Sequence, residues 1–201
     1  MNFGIDPDGA TPLGPDDIVG LRRSDIVLRA ELNRAEAENI AVAMHWAFTR
    51  RPLLATLLTQ RYLKILHRRM FGEVWKWASQ YRKRESSIGI APYRISTELE
   101  NLLLDIQTQT ADLARLPWPA DEIAVRFHHR LVSIHPWPNG NGRHARLATD
   151  LLVIALGQPR FTWGHAGQLR ENNSARTTYL SALRIADKEL QYVPLLTFAR
   201  S

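Results

Sequence analysis

The sequence predicts an all-α domain with one short β-hairpin. Two observations carry this. From about position 25 onward apolar residues recur at three- and four-residue spacing, and one stretch alone, residues 83–95, exchanges that period for isolated β-branched residues among Ser, Gly and Pro. A third observation sets the scale: 201 residues, 45% of them hydrophobic, with a formal net charge of +6. A globule of this length typically buries about 70% of the surface of its unfolded chain, so a full core is expected without covalent staples. The complete lack of cysteine excludes a disulfide framework, a thiolate zinc site, an iron–sulfur cluster and a cysteine nucleophile.

Residues 1–20, MNFGIDPDGATPLGPDDIVG, are dense in Gly, Pro and Asp and read as an extended or flexible arm, placed at 1–24 ahead of a domain at 25–201. They lack the basic start and apolar run of a secretory signal, and no window approaches 18 uncharged apolar residues, so a cytoplasmic protein without a membrane span is expected. A first helix follows from the spacing of Leu28, Leu32, Ala35, Ile40, Met44 and Phe48, interrupted at Arg51-Pro52. A second is expected over about Leu53–Met70, with Leu54, Leu57, Leu58, Tyr62, Ile65 and Leu66 on one side. The hairpin falls in KRESSIGIAPYRI, and helices resume over Ser96–Leu116 and Asp121–Ile134, where Asp121 is the candidate N-cap. A helix ending near Leu156 and a last one over about Glu171–Leu190 complete the reading.

Residues 135–146, HPWPNGNGRHAR, are the least ordinary stretch. Pro136 disfavours helical geometry at His135, so the arriving helix should end there and leave the imidazole on its lip. Asn139-Gly140-Asn141-Gly142 tolerates positive φ, which lets successive N–H groups turn inward as an anion nest that opens onto a helix start. That helix breaks a local rule. First turns favour acids, yet this one opens with Arg143, His144 and Arg146 and has no acid before Asp150. Each misplaced cation costs roughly 0.3 to 1 kcal/mol at an exposed terminus. A bound polyphosphate reverses that sign by taking the nest, the dipole and two guanidinium forks, and His135 is then within reach to serve as general base. Taken singly, each of these residues is also compatible with a plain connector, a solvated arginine or a capping histidine. The stretch is neither a P-loop nor a dinucleotide fingerprint.

HPWPNGNGRHAR resembles the Fic family signature His-x-Phe-x-acid-Gly-Asn-Gly-Arg-x-x-Arg, and the resemblance extends through LHRRMFGEVWKWASQYR, SIGIAPYRI and FHHRLVSIHPWPNGNGRHAR, nearest to the subgroup called mobile mystery protein B, which is associated with mobile elements. It implies transfer of AMP from ATP, with Mg²⁺, to a Ser, Thr or Tyr hydroxyl of a target protein. By position, the resemblance makes His135 the catalytic base, Gly140, Asn141 and Gly142 the anion-binding loop, and Arg143 and Arg146 the holders of the β- and γ-phosphates. Trp137 stands for the anchoring aromatic. The hairpin, through Ser87, Ile88, Gly89 and Ile90, becomes a flap that docks a target segment by strand addition. Asn139 departs from the pattern by replacing the acid that binds magnesium, which weakens the metal site and leaves open a silent nucleotide-binding regulatory module, another nucleotide, or removal of AMP. Family members are often inhibited by Ser/Thr-x-x-x-Glu-Gly/Asn. Residues 34–39, RAEAEN, match in Glu38-Asn39 but carry Arg34 at the hydroxyl position, so Glu38 is either an inhibitor of Arg146 or part of a solvated helix face with Glu31 and Glu36. An antitoxin or other regulatory partner is compatible with this class.

The charge is local. Residues 50–84 hold ten of the 26 Lys and Arg and one of the 20 acids, on a stretch that also carries two apolar faces, so no nucleic-acid partner is expected. His128, His129 and His135 lack the carboxylate and the shared helix face that a zinc site requires.

Overall fold

The computed structural model describes residues 19–23, 26, 28–164 and 174–201. Its helices are α1 (Arg29–Arg50), α2 (Leu54–Leu57), α3 (Gln60–Phe71), α4 (Ile95–Gln109), α5 (Ala120–Ile134), α6 (Asn141–Ala155), α7 (Ser174–Glu189) and α8 (Val193–Arg200), with a 3₁₀ turn at Pro92–Arg94. The all-α expectation is met. No helix among the described residues is long and apolar enough to cross a membrane.

Several boundaries differ from the periodicity, each for a local reason. The helix expected over 53–70 is two, because Thr59 turns extended and caps α3, its hydroxyl accepting from the Tyr62 N–H at 3.1 Å. Helix α4 stops at Gln109, where the Thr110 hydroxyl bonds back to the Ile106 carbonyl at 2.7 Å. Pro119, not Asp121, is the N-cap of α5, and Asp121 sits in the first turn, where Nε of Arg200 reaches it at 2.7 Å and ties α8 to α5. Helix α8 was not apparent from the sequence pattern, although Pro194 near its start is a common helix opener. Of the arm expected at 1–24, residues 1–18 and 24 lie outside the described residues. Residues 20–22 pair with the segment after α3 through the bridge Leu21–Trp75 and the bonds Arg22 N–H to Val74 and Lys76 N–H to Gly20.

The hairpin does not form. Among the described residues the Leu21–Trp75 bridge is the sole strand pairing, and residues 83–91 follow a series of bends. The cause is a side chain. Arg82, buried despite its charge, donates to the carbonyls of Arg84 (3.0 Å) and Ile90, while the Ser86 hydroxyl donates to the Ile88 carbonyl (2.5 Å) and accepts from its N–H (3.3 Å). These groups satisfy main-chain atoms that a cross-strand ladder would otherwise pair.

The core has two parts that share α5 and α6. Leu63, Leu66 and Phe71 of α3 meet Leu99, Leu102 and Ile106 of α4, Phe127 of α5 and Leu152 of α6 in the larger part. Val125 and Val153 from the opposite faces of α5 and α6 pack on Trp163, Tyr179, Leu183, Leu195 and Phe198 in the smaller. Helices α5 and α6 are thus packed on both faces, and the loop between them joins two buried helices.

Burial also sets an acid limit on stability. The imidazoles of His67, His128, His135 and His144 are all pushed below the ordinary range, chiefly by desolvation: well below for His67, to about 3 for His128 and to about 4 for His135 and His144. In the unfolded chain they titrate near ~6.5, so below that pH the unfolded chain binds protons that the fold refuses, and stability falls as pH drops from about 6.5 toward 4. Asp150, raised by burial to about 6, acts in the opposite sense below that pH. With four imidazoles against one carboxyl, unfolding at pH 5 should take up about three protons, or about 4 kcal/mol per pH unit. Thermal melts should show a marked fall in Tm from pH 7 to pH 5, and an unchanged Tm would contradict this account.

Candidate active site

Helix α5 ends where the sequence places its end. Ile134 is its last residue, and His135 follows as a left-handed C-cap (φ 53°, ψ 60°), its N–H reaching the Leu131 carbonyl at 3.3 Å. The imidazole is 6% exposed and is held to about pH 4 by burial first and then by the Arg82 cation, partly opposed by a hydrogen bond to the Val132 carbonyl. At neutral pH it is uncharged, so one of its two ring nitrogens carries the lone pair that a base requires.

Arg82 fixes the neighbourhood of this imidazole. Its Nε donates to the His135 carbonyl at 2.7 Å, an Nη to that of Ile134 at 3.5 Å, and its main-chain N–H to that of Pro136 at 2.9 Å. The same guanidinium holds Arg84 and Ile90, so one side chain satisfies the open end of α5 and also shapes the segment that lies over it. Gly89 makes that approach feasible. It sits at φ 105°, and a Cβ there would fall 2.5 Å from Cβ of His135. Of the four flap residues, Gly89 and Ile90 are therefore brought to His135, while Ser87 is exposed and Ile88 is bonded to Ser86.

The signature loop is held by neutral groups. The Asn141 amide accepts from the Trp137 N–H at 2.9 Å and donates to its carbonyl at 2.8 Å. The Trp137 indole is fully buried, donates to Nδ1 of His144 at 3.2 Å, and stacks on His67 with centroids 4.3 Å apart. His144 passes its Nε2 proton to the Leu63 carbonyl at 3.0 Å. His67 accepts from the Ser79 N–H at 3.0 Å and bonds the Asn139 carbonyl at 3.2 Å. Each imidazole is thereby fixed in one neutral tautomer.

Gly140 is the N-cap of α6 at φ 78°, and no side chain caps the first-turn N–H groups that follow it. The first turn contains no acid, as the sequence indicates. Positive φ occurs at Gly140 but not at the other three residues of Asn139–Gly142, so the loop makes one left-handed turn leading into the helix rather than the longer nest expected from the sequence. The side-chain oxygen of Asn139 accepts from the Gly140 N–H at 2.5 Å.

This arrangement does not fit a resident Mg²⁺. Asn139 offers one neutral oxygen that is already hydrogen-bonded, and among the described residues no group of three or more His, Asp or Glu could hold a metal.

The acid that reaches the signature is Glu36, and the arginine it reaches is Arg143. The pair is 2.7 Å apart with Glu36 buried, Trp75 Nε1 donates to the other carboxylate oxygen at 2.7 Å, and the Arg143 guanidinium lies 4.8 Å from the Phe71 ring. Glu38 is exposed and forms no ion pair with Arg146 among the described residues. Two residues along a helix turn a side chain by about 200°, so burying Glu36, which was expected on the solvated face, sends Glu38 outward to the solvated one of its two expected placements. Asn39, beside it, binds the Arg69 carbonyl at 2.9 Å and the Glu73 N–H at 3.1 Å. Arg146 lies over Tyr179, its guanidinium carbon 5.8 Å from the ring centroid.

Residues 57–153, which contain His135, the loop that follows it and both arginines but neither α1 nor α7, match the Fic/DOC family. They are a Fic/DOC domain. Protein adenylyltransferase fic-1 of Caenorhabditis elegans is 30% identical over 102 residues, 47% of this chain and 19% of that protein, so the chain covers about a fifth of that relative's length. Two solved structures share the fold. The BepC protein of Bartonella tribocorum, solved with bound AMPPNP, superposes with a TM-score of 0.62 at 16% identity over 86% of each chain. The N-terminal Fic domain of a Bep effector from Bartonella quintana, solved with bound ADP, gives 0.68 at 16% identity over 88% of this chain and 86% of that one.

Within this Fic domain, the two signature glycines should respond differently to a methyl group. At Gly140 it would lie 2.3 Å from Cζ of Phe71 in a left-handed conformation, and at Gly142 only Nη1 of Arg146 is near, at 3.6 Å. Gly140→Ala should cost about 2 to 4 kcal/mol in urea unfolding, whereas Gly142→Ala should stay within about 1 kcal/mol of wild type. Equal losses would mean that the Phe71 contact does not constrain the turn.

Proposed function

We propose that the chain is a Fic-type protein adenylyltransferase that moves AMP from ATP to a Ser, Thr or Tyr hydroxyl of a target protein. The observation that carries this reading is the neutral imidazole of His135 at the lip of α5, one short loop away from an uncapped helix start that bears two arginines. The Fic family match and the adenylyltransferase named among its relatives support the same chemistry.

In this reaction the neutral His135 takes the target hydroxyl's proton as its oxygen attacks the α-phosphorus of ATP. The bond from that phosphorus to the bridging oxygen breaks, pyrophosphate leaves toward the α6 start, Arg143 and Arg146, and the proton passes from His135 to solvent. The target segment lies along residues 87–90. Because Ser86 and Arg82 already hold the Ile88 main chain and the Ile90 carbonyl, Ser87 and Gly89 supply the main-chain pairing there.

With α-labelled ATP, His135→Ala should reduce label transfer by about 10² or more, and equal transfer by variant and wild type would overturn the role. The acid limb of kcat/KM should fall near pH 4 rather than near ~6.5, since the base stays deprotonated down to its lowered pKa.

Glu36 and a phosphate compete for the same guanidinium. Glu36→Gln keeps an acceptor for Trp75 and removes the opposing charge, so it should tighten ATP binding several-fold in calorimetry while lowering fold stability by about 1 to 3 kcal/mol. Unchanged affinity would show that Arg143 does not touch the nucleotide.

A second reading has one observation in its favour: Asn139 brings no charge and spends its oxygen on Gly140, which suits a silent nucleotide-binding regulatory module. ATP binding by wild type with no label transfer to any protein would select it.

A further inference from the structure

The two signature arginines are held by different chemistry. Arg143 is neutralised by Glu36. Arg146 has no carboxylate in an ion pair among the described residues; Asp150, four residues further along its helix, is hydrogen-bonded to the Trp163 indole (2.9 Å) and the Phe161 N–H (3.3 Å) and feels the Arg146 cation only through space. What Arg146 meets instead is Tyr179 of α7, a phenol buried in the smaller core.

A directional chain lies behind that phenol. The Tyr179 hydroxyl is 2.8 Å from Nε2 of His128, a fully buried imidazole of α5. His128 donates its other ring proton toward the Ala145 carbonyl, with the Thr149 hydroxyl 3.4 Å away, so Nε2 is the accepting nitrogen and the Tyr179 proton points at it. The phenol oxygen is left to accept, and the Arg146 guanidinium, its carbon 5.8 Å from the ring centroid, acts on the phenol as a cation that opposes the rise burial gives its pKa. Nη1 of Arg146 meanwhile lies 3.6 Å from the place a Gly142 Cβ would take, so the side chain folds back over the first turn of α6, where the uncapped N–H groups are. A neutral acceptor fixes a guanidinium without cancelling its charge, which a carboxylate would do.

We propose that Tyr179 and His128 are positioning residues that hold Arg146 over the α6 start without an ion pair to a carboxylate, so that the site prefers a nucleoside triphosphate to a monophosphate. This rests on the nucleotide reading above and extends it to α7, which lies outside the residues that match the Fic family.

The test is calorimetric titration of the full chain with ATP and, separately, with AMP. Wild type should favour ATP, and Arg146→Ala should abolish the preference. Tyr179→Phe should reduce it about tenfold through the ATP arm alone, the AMP affinity serving as the check that the site is folded, and in Arg146→Ala the same change should do nothing further. His128→Leu should reproduce Tyr179→Phe, while His128→Gln, whose amide oxygen can accept where Nε2 accepts, should keep the preference. Tyr179→Phe with an unaltered ATP-to-AMP ratio, or with both affinities reduced alike, overturns the inference alone. Wild type that binds ATP and AMP equally overturns the triphosphate reading and the inference with it.

Discussion

Everything at this site rests on the two-point bond between the Asn141 amide and the main chain of Trp137. It closes the loop after His135 into a fixed ring and drives the indole into the core, where that indole must find an acceptor. His144 is that acceptor, and it can accept only because its remaining proton goes to Leu63 of α3. His67, stacked on the same indole, adds a link from α3 to the Asn139 carbonyl and to Ser79. The loop that leads to the α6 start is therefore rigid because it is tied through uncharged groups, each bonded in one direction, to a helix that does not take part in the chemistry.

The price of this rigidity is that buried imidazoles must remain neutral, and the fold turns the constraint to use. Burial that keeps His67 and His144 in fixed tautomers is the same physical effect that keeps His135 unprotonated, with the Arg82 cation adding to it. The arrangement of charge is correspondingly uneven. Of the cations gathered at the α6 start, Arg143 is paired with Glu36 from α1, and Arg146 lies over the Tyr179 ring with no ion pair among the described residues.

Much of this was legible in the sequence. The Pro after His135 placed the imidazole at a helix end, the Gly-Asn run placed a helix start, and the cations in its first turn marked that start as unusual. What escaped were residues whose meaning depends on what packs against them. Arg82 reads as one member of a basic run, yet it is buried, and its guanidinium replaces the strand partner that SSIGI seemed to require. Glu36 was legible in principle, since it lies four residues after buried Leu32 and seven before buried Ala43, on the inward phase of α1. A glutamate on an apolar stripe asks for a buried cation, whereas the family pattern drew attention to Glu38. Tyr179 fitted the core period and gave no signal beyond it, because its function lies in a hydroxyl contact with a histidine 51 positions earlier.

Among the described residues the hydrogen bonds of the Arg82 guanidinium go to main-chain oxygens: those of Ile134 and His135 on one side, and of Arg84 and Ile90 on the other. Its grip is accordingly indifferent to which side chains the intervening segment carries, with Gly89 excepted for want of space. The segment over the base is thus a replaceable cassette. Its side chains can drift, and what it presents to solvent can be rewritten, while the imidazole beneath it keeps its place.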